Sequence, residues 1–526
     1  MINASSELLG GYFTLVLAFM VLLVGWFVVT AGTRYWLRVG VPYIPGKPLV
    51  GNFLDTLLQK KSTFELMDEL YRNETVRNST LFGISIMMQP AVVLRDPGLI
   101  KQVFVKDAVY FSNRHMCTDH ENDPIGYYNL LMIKNPQWKQ LRTFLTPSLS
   151  LNKIKRMFLL VDQIGKDMLD HLEELPECQP RTRQTEFKEL CARFTTDVVA
   201  STFFGIQSRC LSDEDSEFRY YGKKIFEYGP KRGITMASFF FMPELVPYLR
   251  FKLFPHDTER FLKTIIQQEI LRREASGETR GDFIDSMIGL KNADATIGTN
   301  EKIPLKDDIL VAQAATFYMA SFETTSSVLS FTLYELTKNP DIQERLRDEI
   351  RSCLQNHGPD LSYECLINEM PYLGMVISEA ARLYPVLPFL ERQCTLPEGT
   401  TGYKLHPFHD TFSIPNKMPL LVPIYAIHRD PKYFPDPLRF NPDRFAKENL
   451  ENIVPCSYMP FGVGPRTCLG SHFGTLQVKV AIVRLLTRYR IERSLLTPEV
   501  LTYRKNAFTL QSNEGLYANL VVDELY

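Results

Sequence analysis

The segment Phe461-Gly-Val-Gly-Pro-Arg-Thr-Cys-Leu-Gly470 constrains this chain more than any other. Gly462, Gly464 and Gly470 permit tight turns and a close approach of backbone to a flat ligand. An apolar pattern of helical period follows, from Thr475 to Arg488. Cys468 therefore stands just before a helix start, where unpaired N–H groups and the helix dipole favour a thiolate. Arg466, two residues earlier, offers a fork-shaped donor to a carboxylate. A buried cysteine in a glycine-rich turn is the plain alternative for any isolated Cys; the full spacing F-x-x-G-x-R-x-C-x-G argues against it.

The rest of the chain is long enough to build a large body around that loop. Of 526 residues, 45% are hydrophobic and 12% aromatic, ample for a sizeable core. No Gly/Ser-rich linker, long charge run or internal repeat divides the chain, so one large catalytic domain over residues 53–526 is the simplest parse. Charge nearly cancels, 59 Lys plus Arg against 60 Asp plus Glu, which provides no global field for nucleic acid. The nine Cys contain no C-x-x-C pair and their number is odd, so neither a zinc ribbon nor a complete disulfide framework is indicated. Reduced thiols in a cytosol-facing domain are expected.

Ahead of that domain, 26 residues from Leu8 to Thr33 carry no charge. As a helix they would reach about 39 Å, enough for a hydrocarbon core of about 30 Å. Trp26 and Trp36 stand where an interfacial aromatic belt would lie, and Arg34 and Arg38 follow the run. This asymmetry predicts an uncleaved anchor over residues 1–34, with the amino terminus luminal and the rest cytosolic. Of the sequons at Asn3, Asn73 and Asn78, only Asn3 would then meet the glycosylation machinery. Pro42, Pro45 and Pro48 make residues 35–52 a stiff connector.

Periodicity predicts helices over Lys153–Leu175, Glu186–Gly205, Asp257–Ala275, Leu305–Lys338 and Pro340–His357. Strand candidates are Gln89–Leu94, Pro419–Pro423 and Leu516–Val522. Much helix with a few small sheets indicates a mainly α, α-rich α+β fold.

Further motifs stand in a fixed order along the chain. Trp138-Lys-Gln-Leu-Arg142 places two side chains four apart on one helix face, and Glu379-Ala-Ala-Arg382 places two three apart. Pro442-Asp-Arg-Phe445 follows, and Ala320-Ser-Phe-Glu-Thr-Thr325 lies inside the longest predicted helix. Together with the cysteine loop, this set resembles the cytochromes P450, over nearly the whole chain. The stretches at Tyr110–Arg114, Asp119–Pro124 and Trp138–Pro147 resemble insect microsomal enzymes, related to the drug-metabolising vertebrate clan.

The resemblance implies haem b with Cys468 as the metal ligand, and Phe461 and Gly470 completing the loop that holds it. It implies Arg142, Arg392 and Arg466 at the propionates, with Trp138 facing the haem and Arg114 contacting it as well; His428 is a weaker candidate. Glu379, Arg382 and Arg444 would form the family's structural ion network. Glu323 and Thr324 would relay protons to bound dioxygen. The plain alternative for Thr324 is a back-bond within its helix. Ser321 departs from the family's usual Gly, which bears on coupling efficiency. Phe317, Ala320, Ser321 and Val386 would line a substrate pocket, and the aromatics of Phe239–Met242 would form a lid or dip into lipid.

The activity so implied is NADPH- and O2-dependent monooxygenation of small apolar compounds by haem-thiolate (ferryl) chemistry. Xenobiotics such as plant toxins or insecticides, and endogenous lipids or hormones, all fit. Electrons would come from NADPH-cytochrome P450 reductase, with cytochrome b5 as an additional partner, at the endoplasmic reticulum membrane. The reductase would dock near Cys468, where Lys139 lies. Two alternatives stay open: a haem-thiolate isomerase or dehydratase of peroxides working without a reductase, and a non-catalytic haem or ligand-binding protein. The acid–alcohol pair at Glu323 and Thr324 argues against both.

Overall fold

A computed structural model describes residues 15–23, 25–26, 31–226, 229–293, 296–298, 303–305, 307–358 and 360–525. The helices used below are α1 (Gln137–Leu145), α2 (Leu151–Glu174), α3 (Phe187–Val199), α4 (Glu217–Phe226), α5 (Pro230–Phe241), α6 (His256–Ser276), α7 (Asp307–Lys338), α8 (Pro340–His357), α9 (Tyr363–Asn368), α10 (Pro371–Leu383) and α11 (Ser471–Arg488). The strands are β1 (Leu81–Ile86), β2 (Gln89–Leu94), β3 (Thr182–Glu186), β4 (Leu390–Gln393), β5 (Pro419–Val422), β6 (Tyr489–Glu492) and β7 (Tyr517–Val522).

Helix α7 is the axle. It is apolar nearly all round, as a helix buried on every side must be, and packs against α3, α6, α10 and α11. Its neighbour α8 begins with Pro340 in its first turn, where a missing N–H costs nothing, and ends at Gly358. Helix α3 starts where the Glu186 carboxylate accepts the N–H groups of Lys188 and Glu189. One sheet runs β1-β2-β5-β4, with β2 and β5 parallel and the other pairs antiparallel. A second, antiparallel throughout, runs β6-β7-β3 and ties the carboxyl terminus to the start of α3.

The predicted elements stand within a few residues of their sequence-based bounds, with one consequential shift. Helix α11 starts at Ser471 with Gly470 as its cap, four residues before the predicted Thr475. Cys468 is thus two residues from the cap. The cysteines also differ from expectation, because the structure joins Cys353 to Cys365 as a disulfide between α8 and α9.

At the amino-terminal side, residues 15–23 and 25–26 are helical with exposed apolar side chains. Among the described residues no helix is long and apolar enough to cross a membrane. The anchor expected over Leu8–Thr33 falls partly outside the described residues, as does the sequon at Asn3. Trp36, expected in an interfacial belt, is instead 1% exposed, with Nε1–H donating to the Ile84 carbonyl at 2.8 Å. A Cβ on Gly83 would stand 2.2 Å from that indole, so this glycine makes the docking possible. The Pro-rich connector lies along β1, through bridges from Tyr43 to Gly83 and from Gly51 to Ile86.

Candidate haem site

The cysteine loop is held by its own backbone. Cys468 N–H donates to the Phe461 carbonyl at 2.9 Å, Thr467 N–H to Gly464 at 3.0 Å and Gly462 N–H to Met459 at 3.0 Å. Gly462 and Gly464 both take φ of +74°, and a Cβ on Gly464 would fall 1.9 Å from the Phe104 carbonyl. No other residue fits there without moving the loop.

Cys468 keeps accessible surface, yet burial pushes its thiol pKa up against the lowering effects of the Gly470 N–H and the Arg142 guanidinium. Its sulfur thus opens on an internal slot rather than on bulk water. The expected stabilisation of the thiolate is present, but desolvation outweighs it until a cation arrives. Above, α7 is buried along most of its length but keeps accessible surface at Ala320, Ser321 and Thr324. The slot therefore lies where α7 passes over the start of α11; a Cβ on Gly474 would be 3.5 Å from Thr325 Oγ1.

Guanidinium groups converge beside this slot. Arg392 is 3% exposed, hydrogen-bonds, among the described residues, only the Glu391 carbonyl at 2.7 Å and lies over the Phe104 ring. Burial and then the Arg114 charge pull its pKa down to about 9. Arg466 is pulled to about 8 by burial, then by Arg114 and Arg392. Burial also lowers the pKa of Arg142. Among the described residues Arg114 has one carboxylate near, Glu391 at 3.5 Å, and its Nε is unpartnered. Beside it both ring nitrogens of His115 lack partners, and burial lowers that pKa to about 4. Like charges buried together with too few carboxylates are unfavourable unless a ligand supplies the missing anions. A flat group bearing two acidic side chains, with a metal facing Cys468, fits this donor set.

Not every expected residue faces that ligand. The Arg466 guanidinium is committed to the carbonyls of Ser112, Leu130 and Ile133 and stacks 4.0 Å over Trp138, so it builds the wall. Thr324 Oγ1 donates to the Ala320 carbonyl at 2.6 Å. The Glu323 carboxylate is turned elsewhere, with Lys188 Nζ and Gln511 Nε2 each at 3.0 Å and Thr509 Oγ1 at 3.4 Å. No hydrogen bond joins the two side chains. Lys188 went unnoticed in the sequence; it also binds Ser326 and Ser327.

Phe317 is 7% exposed and packs against Phe203 and Phe283, on the same helical face as Ala320, Ser321 and Thr324. Ala320, Ser321 and half-buried Val386 stand with it as candidate lining. The aromatics of Phe239–Met242 do not present themselves to lipid: Phe239, Phe240 and Phe241 are buried, against Phe53, Phe389 and Phe508. A small cavity between α5 and residues 505–508 adjoins them.

The structure brings Glu379, Arg382 and Arg444 together. Glu379 and Arg382 are fully buried and doubly hydrogen-bonded at 2.7 and 2.8 Å, and Arg444 Nε reaches Glu379 at 3.2 Å. Arg382 Nη1 also donates to the carbonyls of His428 and Pro437. His428 in turn accepts the Met459 N–H at 2.8 Å through Nε2. It therefore braces the network against the cysteine loop, while its Nδ1 has no partner among the described residues.

A loop-borne cysteine under a long buried helix, with guanidiniums gathered for acidic groups, defines a haem-thiolate protein. The family model described as Cytochrome P450 matches residues 41–518. Among relatives, "Probable cytochrome P450 6g2" of Drosophila melanogaster is 39% identical over 93% of this chain and 95% of its own length. "Cytochrome P450 6k1" of Blattella germanica is 37% identical over 92% of each, and "Cytochrome P450 9e2" of the same insect 33% identical over 96% and 97%. The chain belongs to the cytochrome P450 family, among its insect members, and is a P450 monooxygenase whose family uses haem with a cysteine thiolate ligand.

Proposed function

We propose that this protein uses NADPH and dioxygen to hydroxylate or epoxidise small apolar compounds, xenobiotic or endogenous. The observation that carries this reading is the pairing of the slot at Cys468 with accessible small side chains on α7 and with Arg114, Arg142 and Arg392 lacking sufficient counter-charge. Cys468 would ligate the iron, and the three arginines would take the acidic side chains. The bound group supplies dioxygen activation and oxygen-atom insertion. The chain's own part is to hold it, exclude water and deliver protons.

For proton delivery, Thr324 Oγ1 is the accessible hydroxyl adjoining Glu323 on α7, and Glu323 is its reservoir. Because Glu323 is held by Lys188, relay requires that pair to open, so Lys188 sets how readily the acid is released. The reading also includes an anchor over residues 8–33 in the endoplasmic reticulum membrane. Electrons would come from NADPH-cytochrome P450 reductase and cytochrome b5, docking near exposed Lys139. The test is product formation from a panel of apolar substrates. Dependence on both NADPH and added reductase supports it; turnover of peroxides without reductase, or none with substrate-induced spectral shifts alone, overturns it.

A further inference from the structure

Away from the slot, α8 and α9 meet through a second group of chemically active side chains. Cys353 and His357 stand four residues apart on α8; Cys365 and Glu369 stand four apart on α9 and its carboxyl-terminal cap. A spacing of four puts each pair on one helical face. Gly358, at φ +88°, lets the chain leave α8, and the Ser362 side chain accepts Cys365 N–H to start α9. The two faces are therefore turned toward each other. Cys353 and Cys365 are joined, with Cα atoms 6.6 Å apart, and His357 Nε2 lies 2.7 Å from Glu369 Oε1. The Cys353 sulfur, a His357 ring nitrogen and a Glu369 oxygen all lie within 4.8 Å of one another.

The arrangement is graded from inside to outside. The cysteines are 3% and 1% exposed, whereas the His357 and Glu369 side chains are 42% and 41% exposed. An ion pair so exposed contributes little by itself. Two sulfurs, one imidazole and one carboxylate are the donor types that Zn2+ takes tetrahedrally, with bonds of about 2.0–2.3 Å. The i,i+4 pairing on a helix is a recurrent way to present two such donors.

We propose that Cys353, His357, Cys365 and Glu369 form a thiol-gated Zn2+ site, closed while the disulfide stands and opened by its reduction. A dithiol reductant transfers two electrons to the S–S bond, which breaks, and itself becomes a disulfide. The two resulting thiols lose their protons to solvent as Zn2+ binds. The site sits at an elbow that bears on the cysteine loop's platform. Glu349 of α8 accepts the N–H groups of Tyr372 and Leu373 at the start of α10, and Lys479 of α11 donates to the Leu366 carbonyl of α9.

The test uses the haem-loaded full chain, treated with a phosphine reductant, stripped by a chelator and titrated with Zn2+ against a chromophoric zinc chelator. Zinc-edge X-ray absorption then reads the donors. The proposal expects one Zn2+ per reduced chain, two sulfur and two nitrogen or oxygen donors, and none in the oxidised chain. The surface double variant His357→Ala/Glu369→Ala, which leaves both cysteines packed, should lose at least the roughly 10–100-fold in affinity that disturbing a metal's outer partners already costs. Zinc uptake no greater than in Cys353→Ser/Cys365→Ser, or uptake indifferent to His357→Ala/Glu369→Ala, overturns it.

Discussion

Two buried arginines, Arg382 and Arg392, show how differently one side chain can be used. Arg382 is 0% exposed and spends its donors on the Glu379 carboxylate and on the carbonyls of His428 and Pro437. Arg392 is 3% exposed and, among the described residues, has one carbonyl for a partner and Arg114 for a neighbour. The first arrangement is complete without a ligand, and its work is structural: it fixes His428, which fixes Met459 and the turn leading to Cys468. The second is incomplete, and its deficit has the shape of the missing ligand. Buried charge that is satisfied marks a scaffold, whereas buried like charge that is not marks a binding site.

The contrast breaks most sharply at the satisfied end. Glu379→Ala leaves the fully buried Arg382 and the partly buried Arg444 without their carboxylate and should cost about 3–5 kcal/mol. Chemical denaturation should show this with or without haem, and a loss under about 1 kcal/mol would contradict it. At the unsatisfied end the two states should move in opposite directions. Arg392→Met relieves repulsion, so the haem-free protein should become more stable in thermal melts. The same change should weaken haem retention by about 1.5–3 kcal/mol, the usual worth of a charge-assisted hydrogen bond, as read by transfer to apomyoglobin.

His428 supplies a pH test of the brace. Burial and the Arg382 charge hold its pKa at about 3, against about 6.5 when unfolded. The fold therefore favours the neutral ring. That contribution is fully present above pH of about 6.5 and is lost as pH falls from there toward 3, because the unfolded chain takes up the proton first. His428→Gln keeps an acceptor for Met459 N–H but cannot protonate, so stability measured between pH 7 and 4 should fall less steeply than in wild type. The smallest effect is expected at Lys188→Met. Releasing Glu323 should reshape the pH profile of turnover, with less than about a tenfold change at its optimum; an unchanged profile would remove Lys188 from the relay.

How far the sequence disclosed this depended on distance along the chain. Glu379 and Arg382 are three apart on a helix, so their pairing is readable from spacing, whereas Arg444 joins them across 65 residues and was legible only through resemblance. The cysteine loop was legible because its glycines are needed by the backbone itself. Lys188 meets Glu323 across 135 residues and left no local trace. Trp36 was misread as interfacial because its partner, the Ile84 carbonyl, lies 48 residues on. The pairing of Cys353 with Cys365 escaped because spacing alone does not fix connectivity.

The central claim is that Cys468 ligates iron in the slot beneath α7. The most direct measurement is a carbon monoxide difference spectrum of the dithionite-reduced protein, wild type beside Cys468→Ala. A strongly red-shifted Soret band in the wild type that vanishes in the variant is the predicted result. An unshifted band in the wild type, or a shifted band that survives Cys468→Ala, would contradict it.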